Sequence, residues 1–169
     1  MKKNLILTGM MGVGKSTLGK ALSTKLKMNF FDTDAEIEKS ESETIEAIFK
    51  KKGENYFRII EKKICSKLIK KPNSIIALGG GSFMHEELRN IMLETCVTFW
   101  LELDLNNLKD RLKISKKRPL LNKKNIEKKI ESIYLQRKEV YNLAHYKITC
   151  TNKDREEILK EILKIYENN

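Results

Sequence analysis

Proline and glycine are scarce in this chain, with 2 prolines and 8 glycines among 169 residues. No serine-rich or proline-rich stretch interrupts the sequence, so nothing indicates a linker between domains. A chain of this length can bury one hydrophobic core without the help of disulfides or metals. We therefore predict a single domain over residues 1–169.

Cysteine is equally rare, with 3 copies, and there are 2 histidines. Cys65, Cys96 and Cys150 are far apart and lie mostly in apolar surroundings, which favours reduced core thiols over disulfides or a structural zinc site. No apolar run approaches the roughly 20 residues of a membrane-spanning helix. The apolar run after Lys2 and Lys3 is too short for a secretory signal. We expect a cytoplasmic protein that does not bind a membrane.

Acidic residues are outnumbered, since 34 lysines and arginines against 23 aspartates and glutamates give a formal net charge of +11. Six of the basic residues are arginine. The lysines are scattered beside acids along predicted helices, as in Glu61, Lys62 and Lys63, which is typical of a solvated helix surface. This pattern does not favour a nucleic-acid partner, although a positive surface would attract an anionic substrate.

The sequence GMMGVGKS at residues 9–16 has the spacing of a phosphate-binding loop. It lies between an apolar run and a helical pattern, and in such a loop backbone N–H groups and the helix N-terminus hold phosphate oxygens. Lys15 is expected to reach the β- and γ-phosphates, and the Ser16 hydroxyl to ligate Mg²⁺. The alternative, an ordinary glycine-rich turn, is disfavoured by the four fixed positions and by the flanking strand and helix.

Five short apolar segments predict buried strands, at Leu5–Thr8, Asn29–Asp32, Ser74–Leu78, Val97–Leu103 and Tyr146–Cys150. Helical spacing separates them, with Gly53 as a stop between two helices. The alternation predicts a three-layer α/β/α fold with a five-stranded parallel sheet. Ligands bind such sheets at the carboxyl ends of the strands. The phosphate loop, the acids Asp32 and Asp34, and Gly79 each follow one of these strands.

Asp32 and Asp34 can face one cleft from the end of the second strand, one toward a metal and the other toward a substrate hydroxyl. The alternative is an acidic turn in which Asp34 caps the next helix. Arg58, in GENYFR, and Arg137, in RKEVY, carry the rigid fork that binds a carboxylate through two parallel hydrogen bonds. The alternative for each arginine is an exposed position on a helix.

The glycines at 79–81 would let backbone approach a ligand closely, although a flexible turn would use the same residues. Arg118 lies in a polar, lysine-rich segment, 113–125, and long loops in compact domains are often functional. It could close over a phosphate, or it could be an exposed loop charge.

Together these residues resemble the shikimate kinases over almost the whole chain. The matching segments are GMMGVGKST at 9–17, FFDTDAEIE at 30–38, GENYFR at 53–58, LGGG at 78–81, RPLL at 118–121, and Arg137 with Tyr141. Many NTPases share the phosphate loop, whereas the ordered set is far more specific. The segment LKISKK at 112–117 departs from the family, which usually has a threonine and glycines there.

The resemblance implies transfer of the γ-phosphoryl group of ATP to the 3-hydroxyl of shikimate, in the biosynthesis of aromatic amino acids. It also implies a P-loop kinase fold with a lid at about 112–125 and a substrate-binding region at about 33–61. Catalytic residues would be Asp34, Lys15 and Arg118. ATP would be bound by Gly12, Val13, Gly14, Lys15, Ser16, Thr17, Arg111 and Arg118.

By the same resemblance, Ser16 and, through water, Asp32 would hold Mg²⁺. Shikimate would be bound by Asp34, Arg58, Gly79, Gly80, Gly81 and Arg137. Phe49 and Phe57 would form an apolar wall of that pocket, and we expect a monomer.

Two other functions share parts of this pattern. A gluconate or nucleoside monophosphate kinase can have the same loop and sheet, but Arg58, Arg137 and the three glycines favour a small hydroxy acid as substrate. A nucleotide-switched or nucleic-acid-binding module is a different class. The sequence has no NKxD-type guanine motif and no aromatic stacking stripe, which disfavours that class.

Overall fold

The computed structural model of the chain describes residues 3–114 and 126–168. Its strands are β1 (Asn4–Thr8), β2 (Asn29–Asp32), β3 (Ser74–Ala77), β4 (Cys96–Glu102) and β5 (Tyr146–Thr149). Its helices are α1 (Lys15–Leu26), α2 (Thr33–Glu41), α3 (Ile45–Ile69), α4 (Glu86–Thr95), α5 (Leu105–Ile114), α6 (Ile126–Tyr141) and α7 (Arg155–Glu167), with a 3-10 turn at Ser82–Met84. The five predicted strands are confirmed, with ends that differ by no more than one residue.

The strands form one sheet in the order β2-β3-β1-β4-β5, and every neighbouring pair is parallel. The predicted three-layer α/β/α fold is confirmed. Because all strands run in one direction, the loops after β1, β2 and β3 leave the sheet at the same edge. That edge brings together the phosphate loop, the acids after β2 and the glycines after β3.

The core is built around the central strand β1, whose five residues are all buried. A second, smaller cluster consists of Ile37, Ile48 and Phe57, which join α2 to α3. This cluster fixes the helix that carries Arg58. All three cysteines are buried free thiols, as predicted. Within residues 3–114 and 126–168, no helix has both the length and the apolar character needed to cross a bilayer.

Two local features set the limits of the helices that carry Asp34 and Arg58. Asp32, not Asp34, caps α2, because its Oδ1 accepts hydrogen bonds from the backbone N–H groups of Asp34 at 3.0 Å and Ala35 at 3.3 Å. The alternative in which Asp34 serves as the cap is therefore wrong. In α3, Gly53 adopts φ 80° and ψ 173°, a non-helical conformation that interrupts the helix at the predicted stop.

Candidate active site

An open cleft of about 960 Å³ lies at the carboxyl edge of the sheet. One side is formed by the phosphate loop and the other by α2, α3 and the glycine turn after β3. The volume falls in the range of small-molecule sites. Predicted residues that line it are Gly12, Gly14, Lys15, Ser16, Thr17, Asp32, Asp34, Phe49, Phe57, Arg58, Gly80, Gly81 and Arg137.

The phosphate loop has the backbone that its glycines allow. Gly9, Gly12 and Gly14 have φ of 134°, 81° and 104°, and a Cβ at Gly9 would lie 2.5 Å from a backbone oxygen of β4. The buried Lys15 ammonium group donates 2.8 Å hydrogen bonds to the carbonyl oxygens of Gly9 and Met10. The Lys15 side chain is therefore folded back onto the start of the phosphate loop.

Ser16 and Asp32 meet across the cleft floor, where the Ser16 hydroxyl donates a hydrogen bond to Asp32 Oδ2. Both groups offer hard oxygen atoms, the donors that Mg²⁺ prefers. Among residues 3–114 and 126–168, no cluster of three or more His, Cys, Asp or Glu side chains could hold a metal alone. An ion here would take its remaining ligands from phosphate and water, which is usual for Mg²⁺. The pair therefore fits the predicted metal site.

Asp34 lies in the first turn of α2, beside the glycine turn. A Cβ at Gly79 would lie 2.5 Å from Asp34 Oδ1, so any side chain at that position would push the Asp34 carboxylate aside. The Thr33 hydroxyl accepts a 2.6 Å hydrogen bond from the Gly79 N–H, which ties the start of α2 to the turn. Asp34 thus lines the cleft beside the glycine turn.

Arg58 is held by two carboxylates of its own helix. Its Nη1 donates to Glu61 Oε2 at 2.8 Å, while Nη2 and Nε donate to Glu54 Oε1 at 3.0 and 3.3 Å. Burial is the largest single influence and opposes the charge. The attraction and hydrogen bond of Glu61, with help from Glu54, outweigh it and raise the pKa of Arg58. The guanidinium group therefore keeps its charge inside the cleft wall.

Glu61 lines the cleft, although no sequence motif singled it out. We predicted a solvated surface for Glu61, Lys62 and Lys63, and this is wrong for Glu61, which is 1 % exposed, while both lysines are exposed. Its partners are Arg58, three positions earlier, and the Ser82 hydroxyl, which donates to Oε1 at 2.8 Å. The spacing of three residues between Arg58 and Glu61 was the signal that could have indicated the pair.

The glycine turn is fixed from the opposite side by α6. Arg137 Nη1 and the Tyr141 hydroxyl donate to the Gly80 carbonyl oxygen at 2.9 and 2.5 Å. Burial raises the pKa of Tyr141 to about 12, so its hydroxyl stays protonated and remains a donor. A Cβ at Gly81 would overlap the Arg58 guanidinium group. Both predicted carboxylate-binding arginines therefore contact the same turn.

The predicted adenine contact Arg111 is exposed, and its Nη1 is 3.5 Å from the Val13 carbonyl oxygen of the phosphate loop. The rings of Phe49 and Phe57 pack with centroids 4.6 Å apart. Arg118 and residues 115–125 of the predicted lid lie outside the described part of the chain.

A sequence model of the shikimate kinase family matches residues 11–167. A shikimate kinase from a Sulfurihydrogenibium species is 42% identical over 161 residues, which cover 95% of this chain and 96% of that protein. The chain belongs to the shikimate kinase family. The predicted resemblance is confirmed, and the family is one of ATP-dependent kinases.

Solved structures agree with the family assignment. Shikimate kinase from Acinetobacter baumannii, solved in complex with shikimate, matches with a TM-score of 0.94 at 30% identity over 100% of this chain and 95% of its own. A gluconokinase from Sinorhizobium meliloti matches with a TM-score of 0.62 at 13% identity over 98% and 94% of the two chains. The gluconokinase likeness shows the fold alone.

Proposed function

We propose that this chain transfers the γ-phosphoryl group of ATP to the 3-hydroxyl of shikimate, giving shikimate 3-phosphate and ADP in aromatic amino acid biosynthesis. The observation that supports this most is that the phosphate loop lines the same cleft as Arg58, Arg137 and the glycine turn. A phosphate loop alone would suit any NTPase. The guanidinium groups of two arginines can bind a carboxylate, and the neighbouring glycines leave backbone groups open to hydroxyls. This combination suits a small hydroxylated carboxylic acid.

On the nucleotide side, Lys15 exchanges its two carbonyl partners for the β- and γ-phosphate oxygens. The exchange is favourable because phosphate oxygens carry full negative charge and carbonyl oxygens do not. The loop N–H groups from Gly12 to Thr17 and the N-terminus of α1 hold the remaining oxygens. Arg111, beside Val13, contacts the adenine.

Ser16 and Asp32 would hold Mg²⁺ when ATP is bound. Their side-chain oxygens already meet, and the Ser16 hydroxyl would turn an oxygen lone pair toward the ion and keep its proton. The ion supplies positive charge that offsets the charge of the phosphate oxygens.

On the acceptor side, Arg58 and Arg137 bind the shikimate carboxylate, and residues Gly79 to Gly81 contact the ring hydroxyls. Phe49 and Phe57 cover the apolar face of the ring. Asp34 accepts a hydrogen bond from the 3-hydroxyl and orients it toward the γ-phosphorus. These contacts fix the acceptor before reaction, which is where much of the rate advantage of a two-substrate site arises.

In the chemical step, the 3-hydroxyl oxygen forms a bond to the γ-phosphorus. The bond from that phosphorus to the oxygen bridging the β- and γ-phosphates breaks, and ADP leaves. Asp34 orients the hydroxyl and receives its proton. Because the transition state is loose, the protein contributes mainly position and compensating charge, here from Lys15 and from Arg118 of the lid. Closure of the lid at about 112–125 keeps water from taking the phosphoryl group.

We further propose that the chain acts as one domain and as a monomer in the cytoplasm. Its three free, buried thiols suit a reducing compartment.

A coupled assay of ADP release tests the function. Shikimate is compared with analogues that lack the carboxylate or the 3-hydroxyl, and with gluconate and nucleoside monophosphates as alternative acceptors. Among these acceptors, we expect turnover only with shikimate. An analogue without the carboxylate cannot bind to Arg58 and Arg137, and one without the 3-hydroxyl has no oxygen to attack the γ-phosphorus. Turnover that needs neither group would overturn the proposal, and preferential turnover of gluconate or a nucleotide would support the related small-molecule kinases.

A further inference from the structure

We propose that His85 is a positioning residue for the acceptor, acting on Arg58 through the buried carboxylate of Glu61. This inference rests on the proposed function, because it concerns the arginine that binds the shikimate carboxylate. His85 lies between the 3-10 turn at Ser82–Met84 and helix α4.

The His85 ring does not cap the helix that follows it. His85 occupies the N-cap position of α4, yet its side chain makes no capping hydrogen bond. Its ring instead faces the cleft wall, with Nε2 3.5 Å from Glu61 Oε2. Nε2 is a buried atom that has no hydrogen-bond partner within residues 3–114 and 126–168. A small movement of either side chain would make this contact a hydrogen bond, since such bonds are typically 2.7–3.2 Å long.

Glu61 is buried and contacts side chains from two segments of the chain. Its Oε1 accepts from Ser82, and its Oε2 lies between Arg58 Nη1 at 2.8 Å and His85 Nε2 at 3.5 Å. A carboxylate that is 1 % exposed needs several donors, because burial of a charge is costly when its hydrogen bonds are incomplete. Ser82 and His85 both come from the segment after the three glycines. Glu61 therefore links that segment to Arg58.

A hydrogen bond from His85 to Glu61 affects how much positive charge Arg58 offers to a ligand. When His85 donates to Oε2, Glu61 is shared, and Arg58 keeps more of its positive charge for the substrate carboxylate. Without that donor, Glu61 depends on Arg58 and Ser82 alone and holds the guanidinium group more tightly. His85 thus affects binding of the acceptor and leaves the phosphate loop and the phosphoryl transfer itself unchanged.

The variants His85→Leu and His85→Gln test this inference. Leucine removes the donor at similar volume, whereas glutamine keeps an N–H group. We expect His85→Leu to raise the KM for shikimate by about threefold to tenfold, the effect of one weakened hydrogen bond to a charged group. The kcat and the KM for ATP should stay within about twofold of the parent. His85→Gln should restore most of the shikimate KM.

Two further measurements keep the result interpretable. Ser82→Ala removes the other donor from the glycine segment and should raise the shikimate KM in the same direction, so the inference survives if His85→Leu does not fold. His145→Gln is the matched control, since its ring contacts Thr98 of β4 outside the cleft, and its kinetics should be unchanged.

An unchanged shikimate KM in folded His85→Leu would overturn the inference. So would equal losses in both KM values and kcat, which indicate general loosening of the fold. Failure of the parent protein to phosphorylate shikimate would instead overturn the proposed function, so the two failures are distinguishable.

Discussion

The hydroxyl of Tyr141 donates a 2.5 Å hydrogen bond to the carbonyl oxygen of Gly80, across 61 positions of the sequence. The Tyr141 side chain is fully buried, and its ring packs against Trp100 of β4 at a centroid distance of 6.1 Å. The peptide between Gly80 and Gly81 is therefore anchored to the core of the sheet. This anchoring defines where the turn can present its backbone to a ligand.

The variant Tyr141→Phe removes that hydrogen bond and keeps the ring. We expect the KM for shikimate to rise about fivefold, because one buried hydrogen bond contributes about 1 kcal/mol. The KM for ATP should not change. Steady-state kinetics with each substrate varied in turn would measure this. Tyr134→Phe, about two turns earlier on α6, is the matched control, and a shikimate KM that rose equally in both variants would contradict the prediction.

The contact between Gly81 and Arg58 gives a second prediction. Gly81 has φ −99° and ψ −16°, a conformation that any residue adopts, so alanine there adds no backbone strain. Its Cβ would lie 3.0 Å from Arg58 Cζ and would overlap Nη1. We expect Gly81→Ala to raise the shikimate KM at least tenfold by displacing the guanidinium group, on the scale of a weakened arginine–carboxylate contact.

A double-mutant cycle with Arg58→Ala assigns the cause of that loss. If Gly81→Ala acts by displacing Arg58, it should cost much less in the Arg58→Ala background than in the parent. Equal losses in both backgrounds would show that the methyl group blocks the substrate directly.

The order of the elements could be predicted because hydrophobic periodicity and glycine positions carry it. Buried strands appear in the sequence as short apolar runs, and their alternation with helices strongly favours a parallel sheet. That topology alone predicts that the phosphate loop, Asp34 and Gly79 share one edge. Their convergence thus followed from chain order, before any side-chain contact was known.

The burial of Glu61 and its contacts with Ser82 and His85 could not be predicted in the same way. In a helix pattern of glutamate followed by lysines, a buried acid looks the same as an exposed one, because burial depends on what packs against the helix. Here the segment after the three glycines covers Glu61, and the sequence holds no local signal for that contact. The cap of α2 was also ambiguous, since Asp32 and Asp34 differ only in where the first helical turn begins.

Burial of the cysteines predicts a dependence of stability on pH. Burial raises the pKa of Cys65 to about 12, above the ordinary thiol value of 9.0. Above pH 9 the unfolded chain releases this proton while the folded chain retains it, so the free energy of unfolding should fall as the pH rises from about 9 toward 12. One such group gives a slope of about 1.4 kcal/mol per pH unit.

Urea denaturation at several pH values between 8 and 11 would measure this slope. Cys65→Ala should be less stable than the parent at pH 8 and should show a shallower decline, because it lacks the titrating group. Comparison with this variant separates Cys65 from Cys150 and Tyr141, whose pKa values burial also raises, to about 11 and about 12. Parallel slopes for the two proteins would contradict the prediction.

Arg118 lies outside the residues that the structure describes, and its role is assigned from the sequence. The described cleft is lined by Lys15, Arg58 and Arg137, which the proposed function assigns to the ATP phosphates and the shikimate carboxylate. In that proposal, the transferring phosphoryl group still needs a positive charge of its own. An arginine delivered there contributes about a thousandfold to turnover. We expect Arg118→Ala to lower kcat by about that factor and to leave the shikimate dissociation constant, measured by calorimetry, within about twofold. Lys117→Ala, the neighbouring cation, is the control and should keep most of the turnover, whereas weakened shikimate binding with normal kcat in Arg118→Ala would place that side chain at the acceptor instead.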